Sequence, residues 1–487
     1  MILGIDAGTS IVKAAAFSSE GEVLAVEGRP VKLYRPRPEH AEQDVEQTLG
    51  ALGEVVRAIV ERVREPIESV GVTGQGDGLW LVDERGRQVR RAMTWLDARS
   101  NFVVEEWMAS GIFEEHFRKN GGIIFPGAPS AIMAALKRRE PESLERAATA
   151  ACCKDVILQR LTGERATDPS DASQPFMDHS TRSYDPELLM LLGLEEYGHL
   201  LAPIDPSPGP MRPLNREGEE LTGLPVGTPV HSGPFDLSAT ALGCGVKEVG
   251  EGVIILGTTL ACEVLTDRVD TSGEPGGHTL CAIEPDRWLR AMAAMVGTAS
   301  MDLTLSLFGA THTDLDDFLA DSPPGARGVA VLPFFSPSGE RAPFVEPAAR
   351  GQVHGIDLNT TASDIVRAVC EGVAYTARNC LDAAKLEGEV AICGGGAESG
   401  AWRQVLADVL QKPLKIARRP EVGARGAAMA ALIASDQHFD REEWTRPEGY
   451  VEPRQEMADL YEEGFAAYLS RLESARELWE RLSPNAS

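Results

Sequence analysis

Residues 2–25 read ILGIDAGTSIVKAAAFSSEGEVLA, and their alternation of apolar runs with small-residue turns predicts three consecutive strands. The first run, Ile2–Asp6, ends on a carboxylate. Ala7-Gly8-Thr9-Ser10 follows as a turn, and Ile11–Phe17 as a second strand. A Ser/Glu/Gly turn then leads into Val23-Leu24-Ala25. Residues 252–266, GVIILGTTLACEVLT, repeat the device: an apolar strand, Gly257 with Thr258 and Thr259 in the turn, and a second strand. The chain has 487 residues, a length for two large domains rather than one. One copy of the device in each half predicts two related α/β domains facing one cleft. Residues 1–240 are assigned to the first and residues 241–487 to the second.

Between and after these segments, strand and helix signals alternate. Glu42–Arg64 carries Val45, Leu49, Leu52, Val55, Val56 and Ile59 at helical spacing. Ile67–Thr73 reads as a short strand ending in a Gly-rich loop, and Leu79–Asp83 with Gly86 as a hairpin. Leu200–Val230 is rich in Pro and Gly and reads as a connection between the domains. Ala362–Leu386 has a long periodic apolar face. Gln455–Leu482, with Leu460, Tyr461, Phe465, Leu469 and Leu472, reads as a packing helix.

A formal net charge of −27 argues against a nucleic-acid partner, which needs a basic footprint, and against an anionic membrane surface. No apolar run approaches the ~18–20 residues that span a bilayer. The opening residues read as a strand rather than as a basic stretch before an apolar one, so a cytoplasmic protein is expected. The eight cysteines lack a zinc spacing, which suits buried free thiols in a reducing compartment.

Five constellations could carry chemistry. In Asp6-Ala7-Gly8-Thr9-Ser10, a turn after a strand can aim N–H groups and hydroxyls at phosphate oxygens, and Asp6 suits hydrated Mg²⁺. An ordinary hairpin fits that stretch too, and the same two readings apply to Gly257-Thr258-Thr259. Gly394-Gly395-Gly396-Ala397 lies between the strand Val390–Cys393 and a helix containing Trp402, Leu406 and Val409. That order suits a flat nucleotide pressed on bare backbone, or a tight structural turn. Asp236, in HSGPFDLSATALG, is either a helix cap or a general base that accepts a hydroxyl proton. Finally, Gln75, Gly76 and Asp77, followed by Trp95, Asp97 and Arg99, offer amide, carboxylate and aromatic groups suited to a polyhydroxy ligand. Each of these also fits a surface turn.

Taken in this order, the residues resemble the FGGY family of carbohydrate kinases, within the actin-like ATPase (ribonuclease H-like) fold. The resemblance runs from Met1 to about Ile433. Its most specific part is Gly351-Gln-Val-His-Gly355-Ile356, then Asp364-Ile365, then Ala368-Val369-Cys370-Glu371, with Cys370 where a larger apolar residue is usual. The loop Pro333–Pro343, PFFSPSGERAP, is similar to the family's Gly-Glu-Arg-Ala-Pro loop. The resemblance implies ATP and Mg²⁺, with Asp6 near metal and phosphates. It implies phosphate loops at Gly8, Thr9 and Ser10 and at Gly257, Thr258 and Thr259. Gly395, Gly396 and Ala397 would form the adenosine motif, and Asp236 would be the catalytic base. Gln75, Gly76, Asp77, Trp95, Asp97 and Asp236 would contact the sugar.

Two departures stand out. The family's middle motif expects Lys and Trp close together, whereas GAPSAIMAALKRRE has Met133 and Ala135 there and its lysine at Lys137, so no role is carried to that segment. Gly233-Pro234-Phe235-Asp236 and Gln75-Gly76-Asp77-Gly78 look more like the erythritol and L-xylulose/3-keto-L-gulonate kinase branches. A D-xylulose kinase-type member is the alternative within the family. Outside that activity stand an actin-like ATPase indifferent to sugars and a non-catalytic sugar sensor. A homodimer is compatible with this reading, but no interface is legible in a single chain.

Overall fold

The computed structural model describes residues 1–482. Ile2–Ala7 (β1), Ile11–Phe17 (β2) and Val23–Pro30 (β3) form an antiparallel meander. On its other side β1 pairs in parallel with Ser69–Gly74 (β4), and β4 pairs in parallel with Pro229–Ser232 (β5). The second half repeats this order. Gly252–Leu256 (β6), Leu260–Thr266 (β7) and Trp288–Ala294 (β8) are the meander, and Val390–Cys393 (β9) and Leu414–Ile416 (β10) are the two parallel additions. Short edge strands extend both sheets: Arg212–Pro213 the first, His278–Cys281 and Gly449–Val451 the second. The stretch 200–230 therefore does not run between the halves as its Pro and Gly content suggested. It builds the edge of the first sheet, because strand pairing satisfies its backbone groups there.

Helices cover both sheets. Val45–Arg62 (α1) starts where Asp44 accepts from the amides of Glu46 and Gln47, and it buries Leu49, Leu52, Val55, Val56 and Ile59 on the first sheet. Asp236–Gly243 (α2) follows β5. Ala362–Ala383 (α3) opens on a reciprocal cap between Thr361 and Asp364 and packs into the core of the second half. Gly400–Leu410 (α4) follows β9, Val422–Ala434 (α5) follows β10, and Ala458–Leu482 (α6) is the expected tail helix. Tyr461, Phe465, Tyr468 and Leu472 of α6 join the core of the second half.

Helix α5 belongs to the second half in sequence but lies against the first sheet. A methyl group at Gly4 of β1 would sit 1.8 Å from the Ala424 carbonyl oxygen, and one at Gly71 of β4 would sit 1.9 Å from that of Ala427. Only glycine allows the helix backbone this close to the strands. Gly426 makes the same concession to α2, where a Cβ would lie 1.8 Å from the Ala239 carbonyl oxygen. The two helices that leave the fifth strand of each sheet thus cross in contact between the sheets. Their N-termini, at Asp236 and Glu421, point toward the ends of β1 and β4.

All eight cysteines are free, seven of them buried. Among the described residues no helix is long and apolar enough to cross a membrane.

Candidate active site

The ends of the repeated strands meet around one shared cleft. The turn after β1 closes when the Gly8 amide donates to the Ile11 carbonyl at 3.1 Å, and the turn after β6 closes from Gly257 to Thr259 at 3.0 Å. Each turn thereby presents a threonine inward: Thr9 and Thr259 both line a cavity of about 200 Å³. Gly76, Asp77 and Trp95 line it from the first half, Asp236 from the start of α2, and Met295 and Arg341 from the second. The volume is below the ~300–1,000 Å³ of sites for larger ligands, so the space suits a small molecule. Thr258 is exposed, and Ser10 lies outside the cavity.

Local hydrogen bonding explains why these side chains hold their places. The Thr9 hydroxyl donates to Gln75 Oε1 (3.0 Å) and accepts from Trp95 Nε1 (2.9 Å). Gln75 Nε2 donates to Gln43 Oε1 (2.6 Å), and Gln43 Nε2 donates back to the Thr9 carbonyl (2.6 Å). Gln75 is therefore the buried hub that fixes Thr9 and Trp95, and it does not itself line the cavity. Asp97 is likewise engaged elsewhere: it accepts from the Ala41 amide (2.8 Å) and from Arg99 Nε (2.8 Å) and NH2 (2.7 Å). It braces the loop that carries Trp95. Gly76 has no room for a side chain, since a Cβ would come within 2.2 Å of the Phe235 ring.

The carboxylates at this cavity are electrostatically unusual. Asp77 sits at φ 53° with a buried Oδ1 that has no hydrogen-bond partner. Burial pushes its pKa up to about 7, with Arg341 pulling the other way. Asp236 is held well above the usual carboxylate range by burial and then by the charges of Asp6 and Asp171. The turn before it is tied down twice: the Thr73 hydroxyl donates to the Pro234 carbonyl (2.6 Å), and the Phe235 amide donates to Ser170 Oγ (2.9 Å). Asp6, at the end of β1, is pushed up to about 6 by burial and by the neighbouring Glu421, with Lys13 opposing. Lys13 already pairs with Glu421 (3.1 Å), so Asp6 is the carboxylate here that fits a divalent cation such as Mg²⁺.

The triple-glycine loop lies apart from the small cavity. Gly394 has φ 95°, and a Cβ there would meet the Leu256 carbonyl oxygen at 2.5 Å. Gly396 is packed against Leu256 and Thr298, and Ala397 is buried. Gly395 alone is open, with nothing within 4 Å of a Cβ position. Ser399 caps α4 by accepting from the Trp402 amide at 3.0 Å. The loop leaves the backbone of Gly394 and Gly395 exposed.

Other residues enter that the sequence did not single out. Phe125, Gln174 and His278 also line the cavity, and Gln174 Oε1 meets His278 Nδ1 at 3.0 Å. No motif flags them, because they arrive from unrelated parts of the chain. Arg341 lies in the Pro333–Pro343 loop, so a motif did mark its neighbourhood. Lys154 is completely buried and pairs with Asp155 (2.8 Å), Asp168 (2.8 Å) and Asp171 (3.0 Å). Burial acts against its charge, but the three carboxylates win and hold its pKa well above the ordinary value. Cys152, Asp155 and Asp171 lie close enough to ligate a metal, yet Lys154 already supplies the cation of that cluster. Met133 is fully buried among apolar neighbours, and Lys137 is at the surface with Glu196.

Residues 1–243 match the N-terminal domain of the FGGY family of carbohydrate kinases, and residues 252–435 match its C-terminal domain. An erythritol kinase from Brucella abortus (strain 2308) is 33% identical over 99% of this chain and 98% of its own length. The xylulose kinase of Escherichia coli (strain K12) is 29% identical over 99% of both chains. Among solved structures, the xylulose kinase from Rhodospirillum rubrum superposes with a TM-score of 0.89 at 26% identity, covering 99% of this chain and 100% of that one.

Proposed function

The chain belongs to the FGGY family of carbohydrate kinases and is a phosphotransferase acting on a sugar hydroxyl; from that premise we propose that it phosphorylates a small polyol of the tetritol or pentitol type, with Asp236 as general base. The observation that carries this reading is that Asp77 and Asp236, two carboxylates, line one small cavity together with Thr9, Trp95 and Arg341. Carboxylates, a hydroxyl and a guanidinium around one small space offer the acceptors and donors that a hydroxylated ligand pairs with. Trp95 offers an apolar face for the C–H groups of the same ligand.

In the proposed reaction the substrate hydroxyl attacks the γ-phosphorus of ATP, ADP leaves, and the hydroxyl proton passes to Asp236. Burial gives Asp236 a high proton affinity, which suits a base for a weakly acidic alcohol. Phosphoryl transfer needs mainly positioning and charge stabilisation, so the rigid ring of Thr9, Gln75, Gln43 and Trp95 matters as much as the base. Mg²⁺ held by Asp6 would neutralise charge on the phosphate oxygens. We also propose a division of labour: residues 1–240 hold the sugar, and residues 241–487 hold ATP through Gly257, Thr258, Thr259, Gly395, Gly396 and Ala397. A ketopentose such as L-xylulose or D-xylulose is the second reading, favoured by the xylulose kinase that matches nearly the whole chain.

The test is sugar-dependent ADP release with Mg²⁺-ATP across tetritols, pentitols, ketopentoses, sugar acids and glycerol, with Asp236→Asn as control. One strong polyol substrate, lost in the variant, supports the proposal. A ketopentose preference moves the substrate to the second reading, and unchanged turnover in Asp236→Asn removes the base.

A further inference from the structure

Arg341 is the one charged side chain at the cavity that this mechanism leaves without a task. It comes from the Pro333–Pro343 loop of the second half, yet it faces Asp77 and Phe125 of the first. Its guanidinium carbon lies 4.3 Å from the centroid of the Phe125 ring, a cation–π contact that helps hold it in place. The loop beneath it is pinned as well. The Glu340 carboxylate accepts from the amides of Met295 (2.7 Å), Arg341 (2.7 Å) and Ala342 (3.3 Å). Among the described residues the guanidinium donors of Arg341 have no hydrogen-bond or ion-pair partner.

Asp77 and Arg341 feel each other's charge but form no direct ion pair. A guanidinium and a carboxylate that line one cavity without touching leave a gap between a donor and an acceptor. A hydroxyl group fills such a gap, accepting from one side and donating to the other. A carboxylate on the ligand would satisfy Arg341 but would meet Asp77 and Asp236 in the same low-dielectric space.

We propose that Arg341 is a substrate contact contributed across the cleft, and that its pairing with Asp77 selects uncharged polyhydroxy substrates with neighbouring hydroxyls over sugar acids. This rests on reading the Asp77–Asp236 cavity as the acceptor site. Because the two members come from opposite halves, the substrate that bridges them also ties the halves together.

The experiment measures KM and kcat on the full chain with Mg²⁺-ATP, for a tetritol, a pentitol, a ketopentose and an aldonate, in wild type, R341M, R341K and D77N. In R341M the KM of the best neutral substrate rises at least about tenfold, the scale of one lost charge-assisted hydrogen bond, while the KM for ATP stays within about twofold. R341K recovers part of the loss, since it keeps the charge but not the fork. In D77N, with Arg341 unopposed, the preference for neutral substrate over aldonate narrows by about tenfold. An unchanged neutral-substrate KM in R341M, or a wild type that prefers the aldonate, overturns the proposal. Thermal melts report whether R341M is folded; where it is not, an R341K with wild-type KM overturns the proposal and a raised KM supports it. The premise fails separately: full turnover in Asp236→Asn would remove the general base, whereas an inactive Asp236→Asn beside an unchanged R341M KM removes only the role of Arg341.

Discussion

The two halves have one strand order and opposite loop chemistry. In each, a three-stranded antiparallel meander is followed by two parallel strands. In the first half the turn after the first strand is preceded by Asp6, while the corresponding strand of the second half ends in Ile255-Leu256. After the fourth strand, the first half offers Gln75-Gly76-Asp77 and the second offers Gly394-Gly395-Gly396. After the fifth strand, α2 opens at Asp236 and α5 at Glu421. Corresponding loops of the repeated scaffold thus differ in chemistry: Gln75-Gly76-Asp77 brings an amide and a carboxylate where Gly394-Gly395-Gly396 brings bare backbone. The scaffold decides where groups meet, and the loops decide what they bind.

The sharpest way to break this comparison is to neutralise both helix starts. Asp236→Asn should lower kcat by ~10²–10⁴, the range for losing a general base, with little change in melting temperature. Glu421→Gln, at the residue just before α5, should cost less than about tenfold, because it reaches the site only through its charge on Asp6. Equal losses in the two variants would mean that the helix starts do not differ in role. Next come the fourth-strand loops. Gly395→Val adds a side chain where the unliganded protein has open space, so it should raise the KM for ATP about tenfold (~1.4 kcal/mol) and leave the polyol KM within about twofold. Asp77→Ala should do the reverse, and a matching ATP defect in Asp77→Ala would put the two ligands on the wrong loops.

Titration sharpens the same contrast. A raised pKa means the carboxylate is protonated on the acid side, so the polyol KM should rise as pH drops through about 7, where Asp77 titrates. Asp77→Asn should remove that limb from the polyol KM, which a pH series on both proteins reads directly. The smallest expected effect is structural. Gly71→Ala forces a methyl group against the α5 backbone and should cost about 1–3 kcal/mol of stability by denaturant unfolding, whereas Gly50→Ala, with open space around it, should be neutral or slightly stabilising.

The periodic signals were legible along the chain because they are local. The meander of residues 2–25, the apolar face of α1, the triple-glycine loop and the tail helix all follow from side-chain spacing and turn chemistry. Family-level function was legible too, since the glycine, hydroxyl and carboxylate turns recur in a recognisable order. What tertiary structure alone decided is which groups share a space. It turned Gln75 and Asp97 away from the cavity, since buried polar groups close their hydrogen bonds with the nearest partners, here Thr9 and Gln43 for one and Arg99 for the other. It laid α5 on the first sheet through Gly4 and Gly71, a contact between backbones that leaves no periodic trace. It also brought Arg341 from residue 341 to face Asp77 from residue 77. Sequence determines the elements and their local chemistry; contacts between distant residues depend on how whole sheets and helices pack, and that is set only when the chain closes on itself.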